Sequence, residues 1–548
     1  MKYLIILSSK YAPPELASFG KIPMVLYPVN NGTILDLILK QYDDSYKVVV
    51  VSYEGYEKVV NSVKTIKDHD VDVLKLDKLD DLQYSILKAF EYINPKTDDE
   101  VVINFGDTII KNKTISPDTI VVSHPNGQAI DNRWSYLKHN NGVVLDIIDK
   151  KNKSVANLED YFIVCGVFSV SCPNEFLDIM KRNWLEKKNL FESLAEYSKS
   201  HHFNFIEAVD WFDLGHDSEY FNSGLAIKSR EFNHIQIDKN RGILEKKSDH
   251  FTKFKHEILW YLNIPKELSY VTPRIFDYSL DKNNLFVKME YYSYTTLLEL
   301  FLYGDLSDDS WKRIIDKLAF VLNDFSRFTY SDDKIQKSLF EMYCSKTVNR
   351  LSELKNNEAF VHFFEHTIKV NGVEYVCLNY VLDNLGNWVN ERLLNIKTFC
   401  VIHGDLCFSN ILIDNKFNFL KLIDPRGVFG EHFIYGDNRY DMAKLFHSVD
   451  GKYDLIIKNL FEIKTNDNSI EINFLKSNNN ILSYLKHAFE TLPNYSLDEV
   501  EFIEALLFLS MIPLHKENIN HQYAMLAVGL QILNRQFNIE VKKNGQTK

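Results

Sequence analysis

Over the first 230 positions, apolar and β-branched residues gather in short runs. "YLIIL", "KVVVVSY", "VDVLKL", "EVVINFGD" and "TIVVSH" read as strands buried on both faces of a parallel sheet. Between them, "TILDLILKQY" and "DDLQYSILKAFEYI" read as helices. The second brings Leu82, Ile86, Ala89 and Phe90 near helical spacing. Strand alternating with helix predicts an α/β sandwich.

From about residue 232 the pattern changes. "HIQIDKNRGILEKKS" predicts a strand pair, and "HFTKFKHEILWYLNIP" a helix ended near Pro265. "LFVKMEYYSYTTLLELF" predicts a strand running into a helix. In "WKRIIDKLAFVLNDFSRF", Ile314, Leu318, Val321, Leu322 and Phe325 form one apolar stripe. The stretch after 470 reads as mostly helical. Two domains are expected, 1–230 and 231–548, the second with a smaller lobe at about 231–295 and a helical lobe at about 296–548. A chain of 548 residues is long enough for both.

Composition narrows the function. Apolar content of 45% and charged content of 25% are those of a globular chain. A formal charge of −12 argues against a nucleic-acid or anionic-membrane partner, which draws on a field of Lys and Arg. The six cysteines show no CxxC pair and read as buried thiols of a reducing compartment. "ALLFLSMIPL" is about half the length a membrane span needs. The apolar run of "MKYLIILSSKYAPPE" is too short for a signal segment. A cytoplasmic protein without membrane insertion is expected.

The densest chemistry lies in "FCVIHGDLCFSNILIDNKFNFLKLIDPRG", residues 399–427. Two strand-like runs, "TFCVI" and "FLKLI", each end in polar groups: His403-Gly404-Asp405 after the first, Asp424 after the second. Asn410 stands between them. Asp405 suits a base that orients and deprotonates a hydroxyl, while Asn410 and Asp424 are hard oxygen donors suited to Mg²⁺. A polar turn between strands, with Asp405 capping and Asn410 left-handed, is the plainer alternative.

"HGDLCFSN" followed by "IDPRG" resembles the catalytic and metal-binding loops of the aminoglycoside phosphotransferase and choline kinase family. The resemblance implies a protein-kinase-like α+β fold for the C-terminal domain, with ATP and Mg²⁺ as cofactors. It makes Asp405 the catalytic base, Asn410 and Asp424 metal ligands, and His403 a brace. "ILEKKSDHFTKFKHEILWYLNIP" then looks like the strand and helix that carry a phosphate-binding Lys246 and its ion-pair partner Glu257. Lys247 competes with Lys246, since neighbours on a strand face opposite ways. "FVKMEYY" looks like the hinge that receives adenine, around Met289 to Tyr291. Asp441 would brace the catalytic loop. Arg426 and Asp437 are candidates for substrate contact or for ordinary loop duty. The absence of a DFG…APE pattern favours a small-molecule hydroxyl as acceptor.

The first 230 residues resemble the sugar nucleotidyltransferase fold, a Rossmann-type α/β/α domain. "VVINFGDTII" looks like the strand ending in a Gly-Asp pair, making Asp107 a metal ligand. "YFIVCGVFSV" resembles the mid-domain strand with its glycine, Gly166. "DWFDLGHDSEYFNS" looks like the W-x-D-x-G stretch, making Asp213 a second metal ligand. "FGKIPMVLYPVNNGTILDLIL" resembles the segment with the catalytic lysine, here Lys21. The family's GxGxR loop is replaced by "LSSKYAPPELASFG", with two prolines and a late Gly20; Lys10 is the candidate stand-in for the arginine.

Together these resemblances imply a bifunctional enzyme. A kinase would phosphorylate a sugar or amino alcohol, and a nucleotidyltransferase would activate the product with CTP or UTP, in capsule or other cell-surface polysaccharide biosynthesis. The alternatives are a kinase whose N-terminal domain binds a nucleotide or sugar without chemistry, and a regulatory protein that binds without turnover.

Overall fold

The computed structural model describes residues 1–12, 19–29, 32–64, 66, 68–110, 115–125, 134–148, 160–214, 233–238, 240–476, 479–490, 492 and 496–537. The expected domain junction at 230/231 lies outside the described residues. By contacts, the chain divides into two compact units. One is Met1–Lys228 with Tyr303–Asp305; the other is Ser229–Leu302 with Leu306–Lys548.

Besides a short ladder of Pro28–Val29 with Gly32–Thr33, the described strands of the first unit are β1 (Lys2–Ser8), β2 (Tyr46–Ser52), β3 (Asp70–Lys75), β4 (Glu100–Asn104), β5 (Thr108–Ile109), β6 (Thr119–Ser123), β7 (Tyr136–Asn140), β8 (Val143–Ile148), β9 (Phe162–Val170), β10 (Asn204–Glu207) and β11 (Phe212–Asp213). Nine of them form one sheet in the order β8-β7-β9-β4-β1-β2-β3, with β6 paired to β9 and β10. β5 and β11 form a separate two-stranded ladder.

The sheet corrects the expectation of a parallel one. β4, β1, β2 and β3 run parallel, but β9 lies antiparallel to β4, β6 and β7. A hydrophobic run reports burial and carries no sign of direction, so the reversal at β9 left no mark in the pattern. β3 is also not buried on both faces. As the edge strand it leaves Asp70, Asp72 and Lys75 exposed.

Helices α1 (Ile34–Leu39), α2 (Tyr56–Val63), α3 (Leu82–Ile93), α4 (Pro173–Leu185) and α5 (Leu190–Tyr197) accompany the sheet. Their limits are chemical. Asp81 caps α3 by accepting the Tyr84 N–H, and Asn94 ends it in a left-handed turn at φ 43°. Thr33 with Asp36, and Asn189 with Glu192, form reciprocal caps at α1 and α5. α3, α4 and α5 pack apolar side chains on the sheet: the Phe176 ring lies 5.8 Å from Phe90, 6.1 Å from Phe168 and 5.3 Å from Tyr197.

In the second unit, β12 (Asn233–Asp238), β13 (Ile243–Ser248), β14 (Ile275–Ser279) and β15 (Phe286–Glu290) form an antiparallel sheet in the order β12-β13-β15-β14. Helix α6 (Phe251–Asn263) follows β13 and buries Phe254, Glu257, Ile258, Trp260 and Tyr261. Further on come α7 (Asp308–Ser326), α8 (Lys346–Glu353), β16 (Ile368–Val370), β17 (Val373–Tyr375), β18 (Phe399–Val401), β19 (Ile411–Ile413), β20 (Leu420–Leu422) and α9 (Asn438–Val449). A hairpin of β21 (Phe461–Asn466) and β22 (Ser469–Phe474) precedes α10 (Leu497–Met511) and α11 (Ile519–Phe537).

This larger lobe is not purely helical, which corrects the expectation. β17, β16, β22 and β21 form a sheet within it. Its signal stood in "FEIKTNDNSIEINF", where Phe461, Ile463, Ile470 and Ile472 alternate with polar residues about a turn at Asp467, φ 36°. Among the described residues no helix is long and apolar enough to cross a membrane. All six cysteines are unbridged, and four of them are buried.

Candidate functional site

The pleat of β13 separates two adjacent lysines. Lys246 turns inward and is 5% exposed, whereas Lys247 lies outside in an ion pair with Glu245, 3.1 Å away. Lys246 Nζ donates to both oxygens of Glu257 on α6, at 2.8 and 2.9 Å, and to Asp424 Oδ1 at 2.7 Å. Burial opposes its charge, but Asp424 and Glu257 outweigh burial and hold the ammonium above its ordinary pKa. Asp424 adopts the left-handed region at φ 57°, and its N–H donates to the Tyr261 hydroxyl at 3.1 Å. A residue held at positive φ while its side chain serves an ion pair is a local strain fixed by its surroundings.

The loop after β18 is pinned from several sides. His403 is fully buried; its Nε2 lies 3.0 Å from the Ile423 carbonyl, which makes it the donor there. Nδ1 is then left to accept from Asp405 N–H at 3.3 Å. Burial pushes the imidazole down to about 4, so the ring is neutral at pH 7. Asp441 on α9 accepts the His403 N–H at 2.6 Å and the Gly404 N–H at 2.8 Å. Gly404 has φ 79°, and a Cβ there would sit 3.0 Å from Cβ of Arg426, which explains the glycine. Trp260 ties α6 to the same loop through an N–H to the Ile402 carbonyl, 2.7 Å.

Asp405 presents its two oxygens to different partners. Oδ2 lies 3.3 Å from Asn410 Nδ2, which also donates to the Asp405 carbonyl at 2.9 Å. Oδ1 faces Lys444 Nζ at 2.9 Å. The surrounding protein pushes the carboxyl up, but Lys444 chiefly, with His403 and Arg426, brings it below the usual carboxylate range. The side chain remains 42% exposed, so a substrate can reach it. Asn410 is not left-handed; the positive φ angles of this loop pair fall on Gly404, Asp424 and Gly427. The Asn410 amide nitrogen is committed to Asp405, and its side-chain oxygen accepts from the Ser409 hydroxyl at 3.3 Å. The Ile423 N–H donates to the Asn410 carbonyl at 3.0 Å, keeping Asn410 beside the strand that leads into Asp424.

Three candidates are placed otherwise than expected. The Tyr291 N–H donates to the Gly242 carbonyl at 2.8 Å, because sheet bonding continues one residue past β15, so this donor is spent on the fold. Met289 is buried, paired with Leu244 on one side and Ile275 on the other. Asp437 is neither a substrate group nor surface loop. It is 1% exposed, accepts from Tyr343 at 2.7 Å and pairs with the buried Arg439 at 2.9 Å.

Lys444 escaped the sequence reading. It lies three residues past Asp441 on α9, so both project from one helix face toward the same loop. That spacing was the available signal.

In the first unit, β5 and β11 bring the two acidic candidates together. Asp213 pairs with Thr108, and the Leu214 N–H donates to the Asp107 carbonyl at 2.8 Å. Asp107, Asp213 and Gly166 line one cavity of about 80 Å³ with Trp134 and Trp211. Trp134 donates to Asp213 Oδ2 at 2.6 Å, and Trp211 to Thr108 Oγ1 at 2.8 Å. Gly106, before Asp107, has φ 81°, and a Cβ there would meet the Leu7 carbonyl oxygen at 1.8 Å. Lys21 is exposed and is not among the residues lining this cavity; its carbonyl accepts from Lys58 at 2.6 Å. Lys10 is exposed, while positions 13–18 of the proline-bearing loop lie outside the described residues.

No family model matches the chain, and no curated protein matches it. Solved structures match its N-terminal part. The inositol-1-phosphate CTP transferase from T. maritima is 18% identical, covering 42% of this chain and 97% of that one, with a TM-score of 0.33. The CTP:phosphocholine cytidylyltransferase from Streptococcus pneumoniae is 14% identical, covering 41% and 99%, with a TM-score of 0.33. A putative glucose-1-phosphate thymidylyltransferase from Bacillus anthracis is 13% identical, covering 43% and 98%, with a TM-score of 0.34.

Proposed function

We propose that the second unit has a protein-kinase-like fold and transfers the terminal phosphate of ATP to the hydroxyl of a small molecule. The observation that carries this reading is the buried Lys246, which pairs with Glu257 and, across 178 residues of chain, with Asp424. Such a cation is suited to steadying phosphate oxygens once a triphosphate competes for it. The acceptor oxygen attacks the terminal phosphorus, and the bond from that phosphorus to the bridging oxygen breaks. Its electrons leave on ADP, and the hydroxyl proton passes to Asp405. Asn410 Oδ1 and Asp424 are hard oxygen donors that would hold Mg²⁺, which supplies charge neutralisation for the phosphates when bound. Lys444 holds Asp405 ionised, and the neutral His403 keeps it in position through the Asp405 N–H. Adenine would be received along the chain after β15, beyond the committed Tyr291 N–H.

The first unit then activates the phosphorylated product with CTP or UTP, releasing pyrophosphate. Asp107 and Asp213 would be the Mg²⁺ ligands, and Lys21 the lysine of that reaction. The setting is the supply of precursors for a cell-surface polysaccharide. Two observations favour a second reading, in which the first unit binds without chemistry. Asp213 Oδ2 is already taken by Trp134, and Lys21 stands outside the cavity that both aspartates line.

The test is ATP consumption over a panel of sugars and amino alcohols, with mass spectrometry of the product. CTP and UTP are then added, and pyrophosphate is measured. Phosphorylated product supports the kinase reading, and pyrophosphate release separates the bifunctional enzyme from the second reading.

A further inference from the structure

Beside Asp405, on the side of Oδ1, positive charge accumulates around one buried phenol. Arg426 Nη1 lies 3.2 Å from the Tyr440 hydroxyl, and Lys346 Nζ stands 5.8 Å from the centroid of the same ring. Lys444 completes the group through Asp405. Tyr440 is 2% exposed. Among the described residues neither Lys346 nor Arg426 takes part in an ion pair, and Lys444 pairs with Asp405 alone. Three cations therefore meet one carboxylate. Lys346 is partly buried, and a cation removed from water without a partner is costly. A single cation–π contact with Tyr440 leaves the Lys346 ammonium without an anion, and the exposed Arg426 stands beside the same phenol, open to a ligand.

On the phosphoryl-transfer reading, the triphosphate has its own cation and metal donors at Lys246, Asp424 and Asn410, and Asn410 lies against Oδ2, not Oδ1. The Lys346 helix, α8, also follows directly on a π-helical turn, Glu341–Ser345, a distortion that recurs at functional sites.

We infer that the acceptor is an anion, a sugar bearing a carboxylate or a phosphate, and that Lys346 and Arg426 receive its charged group while Lys444 holds the base. This rests on the phosphoryl-transfer reading and narrows it. Of the sugar and the amino alcohol, it removes the second, since an ammonium group would be set among like charges. The supporting electrostatics agree. Burial would raise the Tyr440 phenol, yet Lys346, Arg426 and Lys444 bring it down to about 8, the mark of an unneutralised positive field.

The experiment measures ATP-dependent phosphorylation by the full-length chain over four classes of probe: neutral hexoses, uronic acids, hexose phosphates and amino alcohols. Tight ATP binding is followed in parallel. The expected result is turnover with uronic acids or hexose phosphates, the two arms telling carboxylate from phosphate. Lys346→Gln and Arg426→Gln should each raise KM for that acceptor roughly ten- to a hundred-fold, with kcat changed much less. Lys346→Arg should restore KM to near its original value. Preferential use of a neutral sugar or an amino alcohol, or unchanged KM in both Gln variants, overturns the inference and leaves phosphoryl transfer intact. ATP bound with no anionic probe consumed also overturns it. Failure to bind ATP at all overturns the kinase reading itself.

Discussion

The ammonium of Lys444 lies 2.9 Å from Oδ1 of Asp405, fixing a cation against the carboxylate proposed as the base. The pair accounts for a base that stays ionised inside an enclosing loop. It also predicts a pH signature. Asp405 is held below the ordinary carboxylate range mainly by Lys444, so Lys444→Met should raise its pKa. A base works deprotonated, and the acid limb of kcat should therefore move to higher pH. An unshifted acid limb in an active variant would show that Lys444 does not act on the base.

Lys246→Met leaves the carboxylates of Glu257 and Asp424 without the cation between them. Breaking such an enclosed ion pair typically costs about 3–5 kcal/mol. Urea unfolding followed by circular dichroism should show a loss of that order, together with weakened ATP binding. Unchanged stability and unchanged ATP affinity would remove Lys246 from the site.

Asp441→Ala orphans the buried N–H groups of His403 and Gly404. At about 1–3 kcal/mol for each unsatisfied group, a loss of roughly 2–6 kcal/mol is expected. Asp441→Asn keeps an acceptor oxygen and should lose less. Equal losses for the two variants would contradict the bracing role.

His403 makes a further pH prediction. Its folded pKa of about 4 lies below the ordinary 6.5, so the unfolded chain binds more protons between those values. Its contribution to stability is fully present above 6.5 and is lost as the pH falls toward 4. Denaturant unfolding at pH 7.5 and 5 should show a larger drop for the wild type than for His403→Gln. An equal drop would mean that the histidine titrates freely.

Gly106→Ala tests the independence of the two units. The new Cβ would collide with the Leu7 carbonyl oxygen in a left-handed backbone, at a cost of roughly 3 kcal/mol. The first unit should unfold earlier in urea while ATP binding persists. Loss of ATP binding under native conditions would show the units to be coupled.

The local elements of both units were readable because periodicity and caps are local. The helices at 82–93 and 308–326 and the strands around Asp405 and Asp424 follow directly from apolar spacing. Strand direction was not readable, since β9 has the same apolar composition whichever way it runs. At the candidate site, alternation showed that one of Lys246 and Lys247 points inward, but phase along the strand comes from the sheet's register with β15. The spent N–H of Tyr291 and the burial of Asp437 depend on partners far away in sequence, Gly242 and Tyr343. No local pattern encodes those contacts.

The most direct measurement follows the γ-phosphate itself. The protein is incubated with γ-labelled ATP, Mg²⁺ and its acceptor, and the label is traced into an organic phosphate for wild type and for Asp405→Asn. The account predicts label in the acceptor for the wild type. For the variant it predicts a rate lower by roughly three powers of ten or more, with ATP affinity within a few-fold. Near-normal transfer by Asp405→Asn would contradict it.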